Sequence, residues 1–338
     1  MILLLPIIAL VAGFILIYLS ADVFTDNSAR IANIYKISPL IIGIVILGFG
    51  TSAPEMLISA RAAFAEHPGL SVGNAFGSNI FNIALVLGVT AIIRPINVEL
   101  KSIKKEWVFL IAFTALAGFL LLVDRKLNAF DGYFLLASLG VFLLYNFIAS
   151  KKDHHEFESL SSIGDISPKW KIWRNLVVSL TILLVSAEAI VYGGTTLAAI
   201  YELPDVIVGV TIVAIATSIP ELAVSITSAF KNQHEMVVGN IIGSNIFNTL
   251  AVLAIPAVIS TTDISLISDV SGIWPTIYAF SLDFSFMFFL TFAIGFLLFL
   301  TVSGKRKNQI SKSEGISFII ILCLYLVAMF SIDLPYFI

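Results

Sequence analysis

Two short stretches of the chain place a carboxylate, hydroxyls and a proline at spacings that suit holding a cation. One is Thr51-Ser52-Ala53-Pro54-Glu55 and the other is Thr217-Ser218-Ile219-Pro220-Glu221. On a helix, residues three and four apart are neighbours, so the hydroxyls of Thr51 and Ser52 share a face with the carboxylate of Glu55. Proline has no N–H. Pro54 therefore leaves the carbonyl of Gly50 without its helical donor, and Pro220 does the same to Ala216. Downstream of each stretch lies Gly-Ser-Asn-Ile-Phe-Asn, which sets Ser78 four residues from Asn82 and Ser244 four from Asn248. The pooled donors are two carboxylates, two carboxamides, several hydroxyls and loosened carbonyls. Such an all-oxygen set, without His or Cys, suits a hard cation such as Ca2+ or Na+ and not Zn2+ or Cu+.

These stretches are copies of each other. A shift of 166 residues superposes positions 51–82 on 217–248 with 16 of 32 residues identical and no gap. Weaker echoes continue upstream, with Ser20-Ala21-Asp22 against Ser186-Ala187-Glu188. A single Glu in an apolar helix can be a structural ion-pair partner, GxxxG spacing is common, and Ser and Thr often bond their own backbone. Two carboxylates at equivalent positions, each with the same hydroxyl and proline neighbours, call for a shared chemical role.

The elements that must position these groups are membrane helices. Of 338 residues 59% are hydrophobic and only 12% charged, about half the charge of a soluble domain. Continuous apolar runs such as 107–123 and 286–302 are unlike the alternating strands of a membrane barrel. Ten spans are expected, at 3–34, 38–65, 70–93, 107–123, 130–149, 174–201, 205–230, 236–260, 275–302 and 315–332. The run from Leu3 to Leu19 has no basic leader and no cleavage pattern, and reads as part of the first span. The expected fold is an all-α polytopic membrane protein: a five-helix repeat over 1–150, a cytoplasmic linker over 151–173 and a second five-helix repeat over 174–338. The ion-motif blocks are 48–82 and 214–248. Asp153-His154-His155-Glu156 in the linker reads as a solvated connector, and Cys323 as a lone apolar-run residue.

Five spans separate equivalent points, and five is odd, so the second copy enters the membrane from the opposite side. Inverted repeats of this kind hold their ligands near the midplane, at the repeat interface. Of the 19 Lys and Arg residues, 16 fall on the side opposite the termini. The positive-inside rule then puts both termini outside the cell membrane and the 150–173 loop in the cytoplasm. Asp22 and Glu188 are repeat equivalents suited either to lining an ion path or to pairing, Asp22 with Asn27 or Arg30; Asp283 reads as structural or interfacial.

The paired blocks resemble the α-repeats of the cation/Ca2+ exchanger superfamily, especially its prokaryotic Na+/Ca2+ exchanger branch. The resemblance covers both blocks, the ten-span plan and the inversion. It implies export of Ca2+ against Na+, or sometimes H+ or K+, by alternating access, with the long first and sixth helices sliding over a core. Matched by motif position, the ion ligands it implies are Gly48, Thr51, Ser52, Glu55, Ser78 and Asn82 in the first half. In the second half they are Ala214, Thr217, Ser218, Glu221, Ser244 and Asn248. Gly48 and Ala214 open the two carbonyl runs, to Thr51 and Thr217. Exchangers of this kind typically carry Asp at one of the positions of Asn82 and Asn248; here both are Asn, leaving two carboxylates rather than three.

The expected chemistry holds one Ca2+ between Glu55 and Glu221, with Na+ competing for the same oxygens. H+/Ca2+ exchange is the alternative, because carboxylates accept protons as well as metal ions. From other classes, a passive cation channel needs a continuous pore, and a hydrolase needs a nucleophile with a base that Ser52 and Glu55 lack in the motif. No enzyme activity, cofactor, nucleic acid or obligate protein partner is expected; the partners are the two cations and the bilayer.

Overall fold

The computed structural model describes residues 3–65, 68–97, 100–123, 126–150, 168–201, 214–259, 264–265, 284–295 and 309–333. They form helices α1 (Leu4–Tyr35), α2 (Pro39–Thr51), α3 (Ala53–Phe64), α4 (Pro68–Phe81, running on through Asn82–Leu87 and Gly88–Ile93), α5 (Leu100–Val123) and α6 (Ala129–Ser150). After the linker come α7 (Lys169–Ile200), α8 (Ala214–Thr217), α9 (Ile219–Phe230), α10 (His234–Ile259), α11 (Phe284–Gly295) and α12 (Lys312–Asp333). Among the described residues five helices are long and apolar enough to cross a membrane, and counting the bent pair α2–α3 as one span gives six. The expected seventh and ninth spans fall partly outside the described residues, as do Asp283 and the whole acidic and His-bearing connector.

The chain divides into two compact units, Met1–Pro54 with Leu143–Ser244, and Glu55–Phe142 with Asn245–Ile338. Each draws segments from both sequence halves. In the first unit, α1 and α7, both of 32 residues, pack along their length. Gly193 lies against Pro6 and Leu10, Gly13 against Ser186 and Ile190, and Tyr35 against Trp173, so the two helices run antiparallel. Lipid tails are as apolar as leucine, so contact of this kind rests on close van der Waals approach, which small residues allow. Phe24, Ile31, Leu183, Ala187 and Ile190 face inward, while Leu5, Phe14, Tyr18 and Val185 stay exposed. A helix apolar all round fits lipid on its outer side.

In the same unit α2 crosses α10 backbone to backbone. A Cβ on Gly239 would lie 2.5 Å from the carbonyl oxygen of Leu40, and one on Gly243 2.5 Å from that of Ile44. Gly73 and Gly77, their equivalents across the repeat, make no such approach: a Cβ there would meet nothing within 4 Å among the described residues.

In the second unit, Gly88 of α4 meets Gly315 of α12, and Gly132 of α6 meets Ala254 and Ala257 of α10. Short strands repeat the same exchange of partners. β1 (Ile96–Asn97), after α4, pairs antiparallel with β4 (Gln309–Ile310), before α12; β2 (Lys126–Leu127), before α6, pairs with β3 (Ile264–Ser265), after α10. The starts of α6 and α12 are both held by reciprocal caps, Asn128 with Asp131 and Ser311 with Glu314.

Candidate functional site

The proline motif breaks its helix in both halves, and in the same way. The helix ends at Thr51, Ser52 adopts φ −81° and ψ 1°, and α3 resumes at Ala53 with a bend of 41°. At the equivalent point Ser218 adopts φ −86° and ψ −1° between α8 and α9. These are bridge-region angles, sparsely populated and recurrent at functional positions. Within the expected span over 38–65, the motif is two helices joined at Ser52. The cause is Pro54, whose ring and missing N–H cannot continue the ladder past the preceding turn. The side-chain oxygens of Ser52 and Ser218 are buried and have no hydrogen-bond partner among the described residues.

The break sets each carboxylate at a helix start. Glu55 falls in the first turn of α3 and Glu221 in the first turn of α9, and both are fully buried. A helix N-terminus carries partial positive charge, which offsets part of the cost of burying an anion. Burying an ion costs several kcal/mol in general.

An asparagine then locks the turn that follows. Asn74 Nδ2 donates to the backbone carbonyl of Glu55 at 3.1 Å and lies 3.4 Å from Ser59 Oγ. In the other half Asn240 Nδ2 donates to the carbonyl of Glu221 at 3.3 Å and to Ser225 Oγ at 3.1 Å. Residue for residue the offset is again 166. The backbone beneath each carboxylate is thereby pinned to the next helix.

Within the first unit four expected residues meet through Asn240. Thr51 Oγ1 donates to Asn240 Oδ1 at 3.2 Å and lies 3.1 Å from Ser244 Oγ, which donates to the carbonyl of Gly48 at 3.4 Å. Asn240 carries the chain of contacts on to Glu221. The result is a neutral cluster of hydroxyl, amide and carbonyl oxygens. Thr217 and Ser218 are buried at the hinge; Ala214 opens α8.

In the second unit residues of the two Gly-Ser-Asn-Ile-Phe-Asn segments cluster. Asn82 Nδ2 donates to Asn245 Oδ1 at 3.0 Å, Asn245 Nδ2 to the carbonyl of Asn79 at 3.4 Å, and Asn79 Nδ2 to Thr249 Oγ1 at 3.0 Å. Asn82 Oδ1 and both side-chain heteroatoms of Asn248 are buried with no hydrogen-bond partner among the described residues. Ser78 is buried on the same helix as Asn82. Asn82 and Asn248 each open a π-helical turn, Asn82–Leu87 and Asn248–Val252, and Leu253 N bonds to Asn248 O five residues back. Wide turns of this type concentrate at functional sites.

Reasoning from residue types missed Asn74, Asn240, Asn79, Asn245 and the Ser59–Ser225 pair as participants. Their signal was available, since all are identical across the 166-residue shift. Asp22 was expected to line a path or to pair with Asn27 or Arg30. It meets Lys231, and the Asn27 amide bonds to the carbonyl of Val23. A contact between residues 209 apart has no sequence signature.

Comparison with known proteins fits this arrangement. A family model described as sodium/calcium exchanger protein matches residues 5–148 and 172–331. The putative antiporter CaxA of Alkalimonas amylolytica is 40% identical over 257 residues, 75% of this chain and 80% of that protein. The inner membrane protein YrbG of Escherichia coli is 32% identical over 315 residues, 91% of each. Among solved structures, the sodium-calcium exchanger NCX_Mj soaked with 2.5 mM Na+ and 10 mM Sr2+ superposes with a TM-score of 0.78 at 29% identity. That match covers 96% of this chain and 99% of the other.

Proposed function

The chain belongs to the sodium/calcium exchanger protein family, and on that premise we propose that it is a secondary antiporter exchanging Ca2+ for Na+ by alternating access. Ten membrane helices in two inverted five-helix repeats form the proposed frame, with a cytoplasmic linker over 151–173 and both termini outside. The antiparallel packing of α1 on α7 and the exchanged strand pairs support the inversion. The 16 basic residues on one side support the orientation. A cysteine at Ser161, in a Cys323→Ser background, should resist an impermeant thiol reagent outside intact cells, and one at Asn128 should react; the reverse pattern removes the orientation.

One observation carries the functional reading. Each half presents a buried Glu in the first turn of a helix that restarts at a Ser hinge, with its carbonyl held by an Asn, in matching geometry. Broken helices of this kind supply dipole ends and unwound carbonyls to ions in membrane transporters. Glu55 and Glu221 balance the charge of one Ca2+. Ser52, Ser78, Asn82, Thr217, Ser218 and Asn248 complete its oxygen shell. Na+ ions occupy overlapping sites formed by the carboxylates, the hydroxyls and the carbonyls, among them the oxygens around Gly48, Thr51 and Ser244, with Ala214 as the counterpart of Gly48. The two cations share oxygens, so full occupancy by one excludes the other, and exchange follows from that competition.

The deciding experiment is uptake of radiolabelled Ca2+ into proteoliposomes under an imposed Na+, K+ or pH gradient, each with the others clamped. Uptake driven by an outward Na+ gradient is expected. Uptake driven only by pH would make the protein an H+/Ca2+ exchanger, and uptake needing no counter-ion would make it a channel.

A further inference from the structure

Asn245 Nδ2 donates to the backbone carbonyl of Asn79 at 3.4 Å, while its Oδ1 accepts from Asn82 Nδ2 at 3.0 Å. A backbone carbonyl can only accept, so it fixes which end of the Asn245 carboxamide faces it. Asn245 then has only its oxygen to offer Asn82, and Asn82 must answer with its N–H. The Asn82 carboxamide is thereby turned with Oδ1 as its open end. That oxygen is buried and has no hydrogen-bond partner among the described residues. An amide oxygen so placed suits a hard cation.

The repeat defines a matching bond, and it is absent. Asn79 is the counterpart of Asn245 and Asn248 that of Asn82, so the match would run from Asn248 Nδ2 to Asn79 Oδ1. Both atoms are buried without a hydrogen-bond partner among the described residues. Asn79 Nδ2 instead meets Thr249 Oγ1 at 3.0 Å and Met287 Sδ at 3.2 Å. Thr249 gives its own proton to the carbonyl of Asn245 at 2.8 Å. Its counterpart Ile83 has no hydroxyl. Of the two asparagines that close the motifs, Asn82 alone is oriented by a relay anchored on the backbone.

We infer that Asn245 is a positioning residue: its carboxamide holds that of Asn82 oxygen-first for the cation. This inference rests on the reading of Asn82 as a cation ligand given above. Without Asn245, the Asn82 amide is free to turn its N–H away from the altered side chain while no ion is bound. Binding then obliges it to bury that N–H unpaired, so the loss falls on affinity for the ion.

The test is a double-mutant cycle read in equilibrium binding of radiolabelled Ca2+ to the purified protein in detergent. Asn245→Leu should raise the Kd about fivefold or more, the effect of one unpaired buried N–H. Asn82→Asp presents an oxygen whichever way it turns and has no N–H to orient. Adding Asn245→Leu to it should therefore raise the Kd by less than about twofold. Equal rises in the two backgrounds, or no rise in a monodisperse Asn245→Leu protein, overturn the inference. Asn245→Ala, which adds no bulk, takes the place of the leucine variant should that one aggregate. A second readout needs no Ca2+. The side-chain amide protons of Asn82, identified by NMR through their loss in Asn82→Asp, should exchange with D2O about tenfold faster or more in Asn245→Leu. Should the wild type bind no Ca2+, the reading of Asn82 as a ligand falls by itself, and unchanged exchange of these protons then overturns the positioning.

Discussion

Asn240 donates its side-chain amide to the backbone carbonyl of Glu221 across 3.3 Å, and the same amide oxygen receives the hydroxyl of Thr51. One carboxamide thus holds the turn under the carboxylate and orients a hydroxyl of the oxygen cluster. Its counterpart Asn74 makes the carbonyl contact with Glu55. Substituting Asn240→Leu leaves the Thr51 hydroxyl without that acceptor and the Ser225 hydroxyl without that donor in a buried setting. Each loss costs roughly 1–3 kcal/mol. Thermal unfolding in detergent should show a lower Tm for Asn240→Leu, together with weaker Ca2+ binding. An unchanged Tm and affinity would show that the amide has no part in the site.

Glu55→Gln and Glu221→Gln are near-isosteric and each remove one negative charge. The loss of charge opposite a buried divalent ion should cost about 3 kcal/mol or more, roughly a hundredfold in affinity. Both variants should remain folded and lose nearly all Ca2+ uptake in proteoliposomes. Near-wild-type uptake by either one refutes the assignment of that carboxylate.

Gly243 and Gly77 are equivalent in the repeat but not in their surroundings. A methyl group at Gly243 would sit 2.5 Å from the Ile44 carbonyl, whereas at Gly77 it would meet nothing within 4 Å among the described residues. Forcing backbones apart costs about 1–3 kcal/mol. Gly243→Ala should therefore lower Tm in detergent clearly, and Gly77→Ala should leave it nearly unchanged. Equal effects of the two substitutions would contradict the asymmetry.

Asn248 has no hydrogen bond to lose among the described residues, so Asn248→Asp adds charge without removing a donor that the fold uses. In the proposed site Glu55 and Glu221 would neutralise one bound Ca2+, whereas any Na+ beyond two would leave a positive charge in a poorly screened setting. The added carboxylate should favour Na+ over Ca2+. Half-inhibition of Ca2+ uptake by external Na+ should fall by about threefold or more, the equivalent of roughly 0.7 kcal/mol. Superimposable inhibition curves would mean that this position does not set the charge balance.

The linear chain determined the features that depend on local chemistry and on copying. Pro54 and Pro220 dictate where helices must break, because no fold can supply the missing N–H. Glu55 and Glu221 were identified by their equivalence across the repeat, and the odd number of spans between them made inversion the expected arrangement. The partners of the asparagines were not legible in the same way. Asn82 bonds to Asn245 and Asn79 to Thr249, yet the side chain of Asn248, preceded by the same residues as Asn82, has no partner among the described residues. Nor does residue type tell Gly243 from Gly77, or join Lys231 to Asp22. Spacing along one helix specifies which groups share a face, since that follows from covalent geometry alone. Which helix meets that face, and how closely, is set by packing among segments nearly two hundred residues apart, and only the tertiary structure decides it.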